Sequence, residues 1–255
     1  MILEEFDFDK EAIISPFHFI EPVEGMPKVA VTCFVYKTFE RMVELLKGEK
    51  IAQTGNANGK WPIYKAVYKG KEIALYMTDM GAAGAGGQLE ETFATGIEKI
   101  VVFGECGVLD SSIEDCSIII PDSAVRDEGL SYHYAPPADE IPVNPKYMQE
   151  FIKLLDEVKC PYRIGKVWTT DAFYRETKAK MQKRKEQGCI CVDMECSALA
   201  AVAQFREKDL FQFFITADCL EGEEWDRRSL GADVKFEEKD YATHLALEMA
   251  VRIAE

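Results

Sequence analysis

Two acids stand where a short apolar run ends. Ile190-Cys-Val-Asp-Met-Glu-Cys-Ser-Ala-Leu places Asp193 and Glu195 on either side of Met194, and a helix rich in small residues follows at once. A second apolar run, Leu210 to Thr216, leads into a lone acid, Asp218. In an open α/β sheet the ligand crevice lies outside the carboxyl ends of the strands, so Glu195, Met194 and Asp218 are expected to converge. A carboxylate there can accept from a pair of sugar hydroxyls, through charge-assisted bonds about twice as strong as neutral ones. A second carboxyl, kept protonated by apolar neighbours such as Phe213, Phe214, Ile215 and Leu220, can hand a proton to a departing base. Gripping a sugar and protonating a base are what nucleoside chemistry requires.

Each residue also has a plain structural reading. Glu195 could complement the dipole of the following helix, Asp193 could cap that helix, and Asp218 could be a cap or turn residue. Gly81-Ala-Ala-Gly-Ala-Gly-Gly87 lies between a strand and a helix, a place suited to cradling an anion. Its spacing is not that of a dinucleotide loop, so it reads as close approach of backbone to a ligand, with Gly81 at its head.

The elements that must position these residues alternate between strand and helix patterns, which signals an α/β sheet. Strands are expected at Val29–Phe34, Ile100–Phe103, Cys116–Ile120, Arg163–Trp168 and Leu210–Thr216, with a hairpin of Ile63–Tyr68 and Glu72–Met77 around Lys69-Gly70-Lys71. Helices are expected at Phe39–Leu46, at Gln88–Thr95 with Gly96 closing it, at Pro145–Val158, at Lys178–Gln187 and at Tyr241–Ala254. Asp122–Asn144 and Glu221–Lys235 read as loops.

The 255 residues, 47% of them hydrophobic, suit one domain over 1–255, large enough to bury roughly 75% of its unfolded surface. A net charge of −15 argues against nucleic acid or an anionic membrane as partner. There is no basic leader at Met1-Ile-Leu-Glu-Glu and no 18-residue apolar run, so a cytoplasmic protein is expected. Eight scattered cysteines without a CxxC pair read as reduced core thiols, with no metal site.

Five segments, in order, resemble the nucleoside phosphorylase/nucleosidase family. Val192-Asp-Met-Glu-Cys-Ser-Ala-Leu199 is similar to its Val-Glu-Met-Glu-x-x-x-Leu signature, and Ala217-Asp218 stands where it has Ser-Asp. Gly104-Glu-Cys-Gly-Val-Leu109 and Asp79-Met-Gly-Ala-Ala-Gly84 resemble two Gly-rich turns, and Thr169-Thr-Asp-Ala-Phe-Tyr174 resembles a Ser-x-Asp-x-Phe-Tyr segment. The resemblance implies a three-layer α/β sandwich, a mixed central β-sheet flanked by helices, and cleavage of a nucleoside's N-glycosidic bond. It implies Glu195 on the ribose hydroxyls, Met194 against the ribose face, Asp193 assisting at the sugar or capping, and Asp218 as general acid toward a purine nitrogen. It implies Phe173 stacked on the base, with a core Phe as the alternative, and Gly107 and Gly81 lining the substrate. His18, in Pro16-Phe-His-Phe19, resembles a residue that reaches a neighbouring subunit's site; a homo-oligomer, dimer or hexamer, follows. No cofactor is implied, with inorganic phosphate as the co-substrate where the acceptor is phosphate. Pyrimidine-specific members carry a Gln and an Arg after the Phe-Tyr segment; here Arg175-Glu-Thr-Lys follows, which favours a purine.

The departures concern the acceptor. The family's phosphate loop after the first strand is replaced by Thr32-Cys-Phe-Val-Tyr-Lys37, its pre-turn Arg by Val102, and its turn Ser or Thr by Glu105. A carboxylate there opposes phosphate: like charges 4 Å apart cost on the order of 4 kcal/mol at an effective dielectric of 20. Lys37, Arg41, Lys60, Arg126, Arg227 and Arg228 could rebuild a basic site, but none lies in a matching motif. Hydrolytic members orient water with a Glu of the first-strand loop; Glu40 is nearby but out of register. Glu105 is therefore expected to face the acceptor site, orienting water or filling it with its own charge. Hydrolysis is slightly favoured over phosphorolysis, and a nucleoside-binding protein without turnover is the alternative.

Overall fold

A computed structural model describes residues 2–231 and 234–254. Among these residues ten strands, all in one sheet, alternate with six helices. In chain order they are β1 (Val29–Cys33), α1 (Tyr36–Leu46), β2 (Glu49–Asn56), β3 (Gly59–Tyr68), β4 (Lys71–Met77), α2 (Ala82–Ala94), β5 (Lys99–Val108) and β6 (Ile118–Asp127). There follow β7 (Glu140–Pro142), α3 (Met148–Glu157), β8 (Tyr162–Thr170), α4 (Lys178–Glu186), β9 (Cys189–Asp193), α5 (Cys196–Phe205), β10 (Asp209–Cys219) and α6 (Phe236–Ile253).

The sheet is mixed, and half of it closes on itself. Its order runs β10-β6-β8-β9-β5-β1-β4-β3-β2, and β10 also pairs with β5, so β5, β9, β8, β6 and β10 form a ring. β5 is the pivot. Its first half pairs in parallel with β1, down to Cys33 opposite Phe103, and its end pairs antiparallel with β9 at Gly107 and Val108. Along its other edge it follows β10 throughout. The gap between the departure of β1 and the arrival of β9 falls at 104–106, which leaves Glu105 facing an opening.

Alternation of side chains explains the layers. On β1 and β5, Val29, Val31, Cys33, Val101 and Phe103 face a core shared with α1, α3 and α6, while Ala30, Ile100 and Val102 face α2 and α5. The first core centres on four aromatic rings: Phe213 stacks on Phe103 at 5.7 Å and lies 4.6 Å from Phe151, which is 4.9 Å from Phe211.

The expected elements are present with several corrections. β2 was not anticipated: it is a polar edge strand whose residues are mostly exposed, so it shows no apolar alternation. The stretch Asp122–Asn144 is not simply a loop. β6 runs on to Asp127 through a register shift between Pro121 and Ala124, and β7 pairs with Ser123–Val125. The shift breaks the two-residue period that would have revealed the strand. The Gly104–Leu109 segment is strand rather than turn, as far as Val108. Helix α2 begins at Ala82, so Gly84, Gly86 and Gly87 are helical. At Gly86 a Cβ would lie 2.1 Å from a Leu130 methyl, so close packing, not a ligand, demands glycine there. The Lys69-Gly70 turn has φ of 48° and 78°, the two positive angles of a tight hairpin. Of the expected loop Glu221–Lys235, residues 232 and 233 lie outside the described residues, as do positions 1 and 255 of the expected domain. No helix among the described residues is long and apolar enough to cross a membrane.

Truncating Phe213 to Ala should cost about 3–5 kcal/mol of unfolding free energy, because the fully buried ring leaves a cavity against Phe103 and Phe151. Urea titration of the variant beside the parent measures it.

Candidate active site

A cavity of about 770 Å³ opens where β5, β9 and β10 end. Its wall includes Glu105, Gly107, Phe173, Asp193, Met194, Glu195 and Asp218. Seven of the nine residues singled out from the sequence are thus brought together. Gly81 and His18 are not on the wall.

Asp193 ends β9 and is buried. Thr169 Oγ1 donates to its Oδ1 at 2.7 Å, while the backbone N–H groups of Glu195 and Cys196 donate to Oδ2 at 2.9 and 2.6 Å. The two backbone bonds hold the turn that leads into α5, two residues ahead of its N-cap Glu195. Behind it, Ser197 Oγ donates to Glu128 at 2.9 Å and Arg126 Nε to Ser131 Oγ at 2.8 Å. The supposed loop of 122–144 therefore supplies the buried polar backing of the site.

Glu195 stands at the head of α5, with Oε1 accepting the Gly81 N–H at 2.6 Å. Gly81 has φ +86°, which favours glycine, and it turns its N–H toward Glu195. Burial, and then the charge of Asp193, push the Glu195 carboxyl up from its ordinary range. Burial raises Asp193 as well, against the three hydrogen bonds that favour its charged form.

Asp218 lies on β10 just past a register shift: Thr216 pairs with Cys106, and Asp218 with Gly107. The shift leaves Ala217 as the extra residue and turns Asp218 to the cavity. Trp225 Nε1 donates to its Oδ2 at 2.7 Å. Burial raises the Asp218 carboxyl, with the indole bond and Arg228 opposing. A Cβ on Gly107 would stand 2.8 Å from Asp218 Oδ1 and 2.7 Å from a Leu220 methyl, so this glycine makes room for the acid.

Glu105 is paired with Lys239, 2.7 Å away on the first turn of α6, and both side chains are nearly buried. A smaller cavity of about 120 Å³ shares Val35, Glu105 and Gly231 with the main one and adds Lys37, Arg41, Lys239 and Asp240. Arg41 is bonded to Asp240 there. Glu40 is exposed on α1 and lines a separate groove. Arg126 is buried in the polar backing, and Arg228 is bonded to Asp226 and the Ile113 carbonyl. Phe173 is 42% exposed beside Tyr174, and His18 is exposed in a short turn at Pro16–His18.

Three residues escaped the sequence reading, Lys239 of the smaller cavity and Trp225 and Glu176 of the main one. Lys239 shares a helical face with Ala242 and Ala246, and a lysine on that apolar stripe was the available signal. Trp225 lay in a presumed loop. Glu176 follows the Phe-Tyr segment; burial and then the nearby Asp218 push it up to about 7. All eight cysteines are free thiols. Among the described residues no cluster of His, Cys, Asp and Glu is arranged to hold a metal.

The same arrangement of strands and helices occurs in solved nucleoside phosphorylases. Uridine phosphorylase from Vibrio fischeri superposes with a TM-score of 0.70 at 22% identity, covering 96% of this chain and 95% of that one. Purine nucleoside phosphorylase from Toxoplasma gondii superposes at 0.75 with 17% identity, covering 91% and 93%. These likenesses define the fold class. A family model described as the phosphorylase superfamily matches residues 28–253, and the chain belongs to that superfamily. Among its relatives, the guanosine phosphorylase of Halorubrum lacusprofundi is 25% identical over 149 residues, 58% of this chain and 61% of the relative. A DeoD-type purine nucleoside phosphorylase of Brevibacillus brevis is 25% identical over 164 residues, 63% and 70%. The matched stretch thus spans between about three fifths and seven tenths of these relatives.

Glu176 gives the site a measurable pH signature. Its folded value of about 7 exceeds the ordinary 4.5, so its stabilising contribution is complete below about 4.5 and is lost as pH rises through about 7. Between pH 5 and pH 8 the parent should lose stability relative to Glu176→Gln, on the order of 1–3 kcal/mol, in urea titrations across that range.

Proposed function

We propose that this chain cleaves the N-glycosidic bond of a nucleoside, with a purine as the leaving base and water as the acceptor. The observation that carries the reading is the placement of Glu195 and Asp218 on one cavity, each a buried carboxyl with a raised pKa. Leaving-group departure builds positive charge on the sugar and negative charge on the base. Glu195 accepts from the ribose hydroxyls and lies near the sugar charge, while Asp218 delivers a proton to the base nitrogen. Met194 and Phe173 supply apolar contact to sugar and base. Asp193 holds Glu195 in place through the turn that it caps, a positioning role and not one in contact with substrate.

Water is favoured because a carboxylate, Glu105, faces the acceptor side and Val102 leaves no cation at the corresponding place on β5. A second reading, with phosphate as acceptor, is supported by the cations Lys37, Arg41 and Lys239 around the smaller cavity. The relatives named as phosphorylases support it too. A homo-oligomer with His18 serving a neighbouring site accords with the exposed position of that residue.

Base release from purine and pyrimidine nucleosides, measured with and without phosphate, tests the reading. Release from purine nucleosides without phosphate is expected. Release only with phosphate transfers the assignment to the second reading, and release from none overturns both. Glu195→Gln and Asp218→Asn should each lower kcat/KM by roughly 10²–10³-fold, the range for losing one electrostatic or proton-donating group. If water is the acceptor, Glu105→Ser should lower kcat while leaving release indifferent to phosphate.

A further inference from the structure

We infer that Lys239 is a positioning residue of the cleavage reaction: from the first turn of α6 it holds Glu105 as a carboxylate turned to the acceptor water. The inference rests on the reading of water as acceptor and assigns that reading a further residue.

The Lys239 ammonium lies 2.7 Å from Glu105 Oε1, with the two side chains 10% and 12% exposed. It also donates to the Ser229 carbonyl at 3.4 Å, which holds it from a second side. Among the described residues no other bond reaches the Glu105 carboxyl, which leaves Oε2 to accept from a water on the main cavity wall. The other charged and titratable groups near Glu105 come from several elements. β10 brings Asp218, whose carboxyl is pushed up by burial and, less strongly, by the charge of Glu105. β1 brings Cys33, whose thiol burial pushes up to about 12 and so keeps uncharged. α1 brings Lys37 and Arg41 to the smaller cavity, where Arg41 is bonded to Asp240. Arg227 lines the main cavity and donates to the Leu230 carbonyl at 3.1 Å. Lys239 is the cation that the fold places against Glu105.

Stability does not account for such a pair, because burying two ions costs desolvation that an apolar pair of similar size avoids. Glu176 shows the alternative on the same wall. No cation is bonded to it among the described residues, and burial, then Asp218, push it up to about 7. A cation within roughly 4–6 Å favours the charged form of a carboxyl, and the reaction needs Glu105 charged. Water attacks C1′ as the bond from C1′ to the base nitrogen breaks. The electron pair of that bond leaves with the base, the proton of Asp218 goes to a base nitrogen, and one proton of the water passes to Glu105. Nucleoside and water thus give free base and sugar, after which Glu105 releases its proton to solvent and Asp218 regains one. A neutral Glu105 could take no proton from the water.

The test measures kcat for base release from adenosine and inosine against pH, without phosphate, in the parent, Lys239→Met, Lys239→Arg, Glu105→Gln and the double variant. Methionine suits the apolar face that Lys239 shares with Ala242 and Ala246; urea titration checks folding, and Lys239→Gln is the second variant. The ratio of Lys239→Met to parent cancels the titration of Asp193, Glu195, Asp218 and Glu176, which both proteins share. That ratio should be lowest in acid and rise by about tenfold or more toward alkaline pH, as the carboxyl left without its cation regains its charge. Lys239→Arg keeps the positive charge, so its ratio to the parent should stay level with pH. In Glu105→Gln, adding Lys239→Met should change kcat by less than about twofold, because the members of one pair do not act additively. Release without phosphate combined with a level Lys239→Met ratio, or with effects that add in the double variant, overturns the inference and leaves the water reading intact. Release that requires phosphate overturns the water reading and the inference together, as does release from no nucleoside.

Discussion

The site depends on the buried carboxylate of Asp193. One oxygen is held by the Thr169 hydroxyl from β8, the other by two backbone N–H groups at the start of α5. Those bonds tie two neighbouring strands to a helix and fix the sharp step at Met194 that delivers Glu195. Three donors thus hold a carboxylate that also lies on the cavity wall. A buried acceptor with three donors is costly to remove, because each donor would be stranded. Glu195 inherits its position from this arrangement and its raised pKa partly from the charge beside it. One buried carboxyl of the cavity is thus tuned by the neighbour that holds it in place.

Around that anchor the fold works by local exceptions to regular pairing. β5 exchanges one neighbour for another between Phe103 and Gly107, and the vacated edge opens on the cavity at Glu105. β10 takes an extra residue at Ala217, which aims Asp218. Gly107 opposite it has no Cβ to obstruct the carboxyl. Bulges and edge changes weaken a sheet, yet here they fall where two strands end against a cavity and the ring of five strands holds the remainder in register.

Much of this was legible in the residues. The run from Ile190 to Leu199, the apolar approach to Asp218 and the alternation of strands with helices were enough to place Glu195, Met194 and Asp218 on one wall. What escaped had a physical reason in each case. β2 is a polar edge and carries no apolar period. β6 passes through an irregularity at Pro121, and β7 is three residues long. Gly84, Gly86 and Gly87 looked like a loop because glycine is a poor helix former, but they lie in α2, where Gly86 packs closely against Leu130. Lys239 and Glu176 lie 134 and 42 positions from the acids that they face, Glu105 and Asp218, and pairing at that distance is set by tertiary packing alone.

The bond from Trp225 to Asp218 has an optical consequence. The chain has three tryptophans; Trp168 is fully buried with its N–H on Asp127, and Trp61 lies on β3, away from the main cavity. Only Trp225 combines a place on the main cavity wall with 58% exposure. An occupant that takes over the Asp218 carboxyl must compete with the indole for it, so the emission of that one fluorophore registers the filling of the cavity at Asp218. The protein carries its own dye, bonded to a carboxyl of the cavity wall.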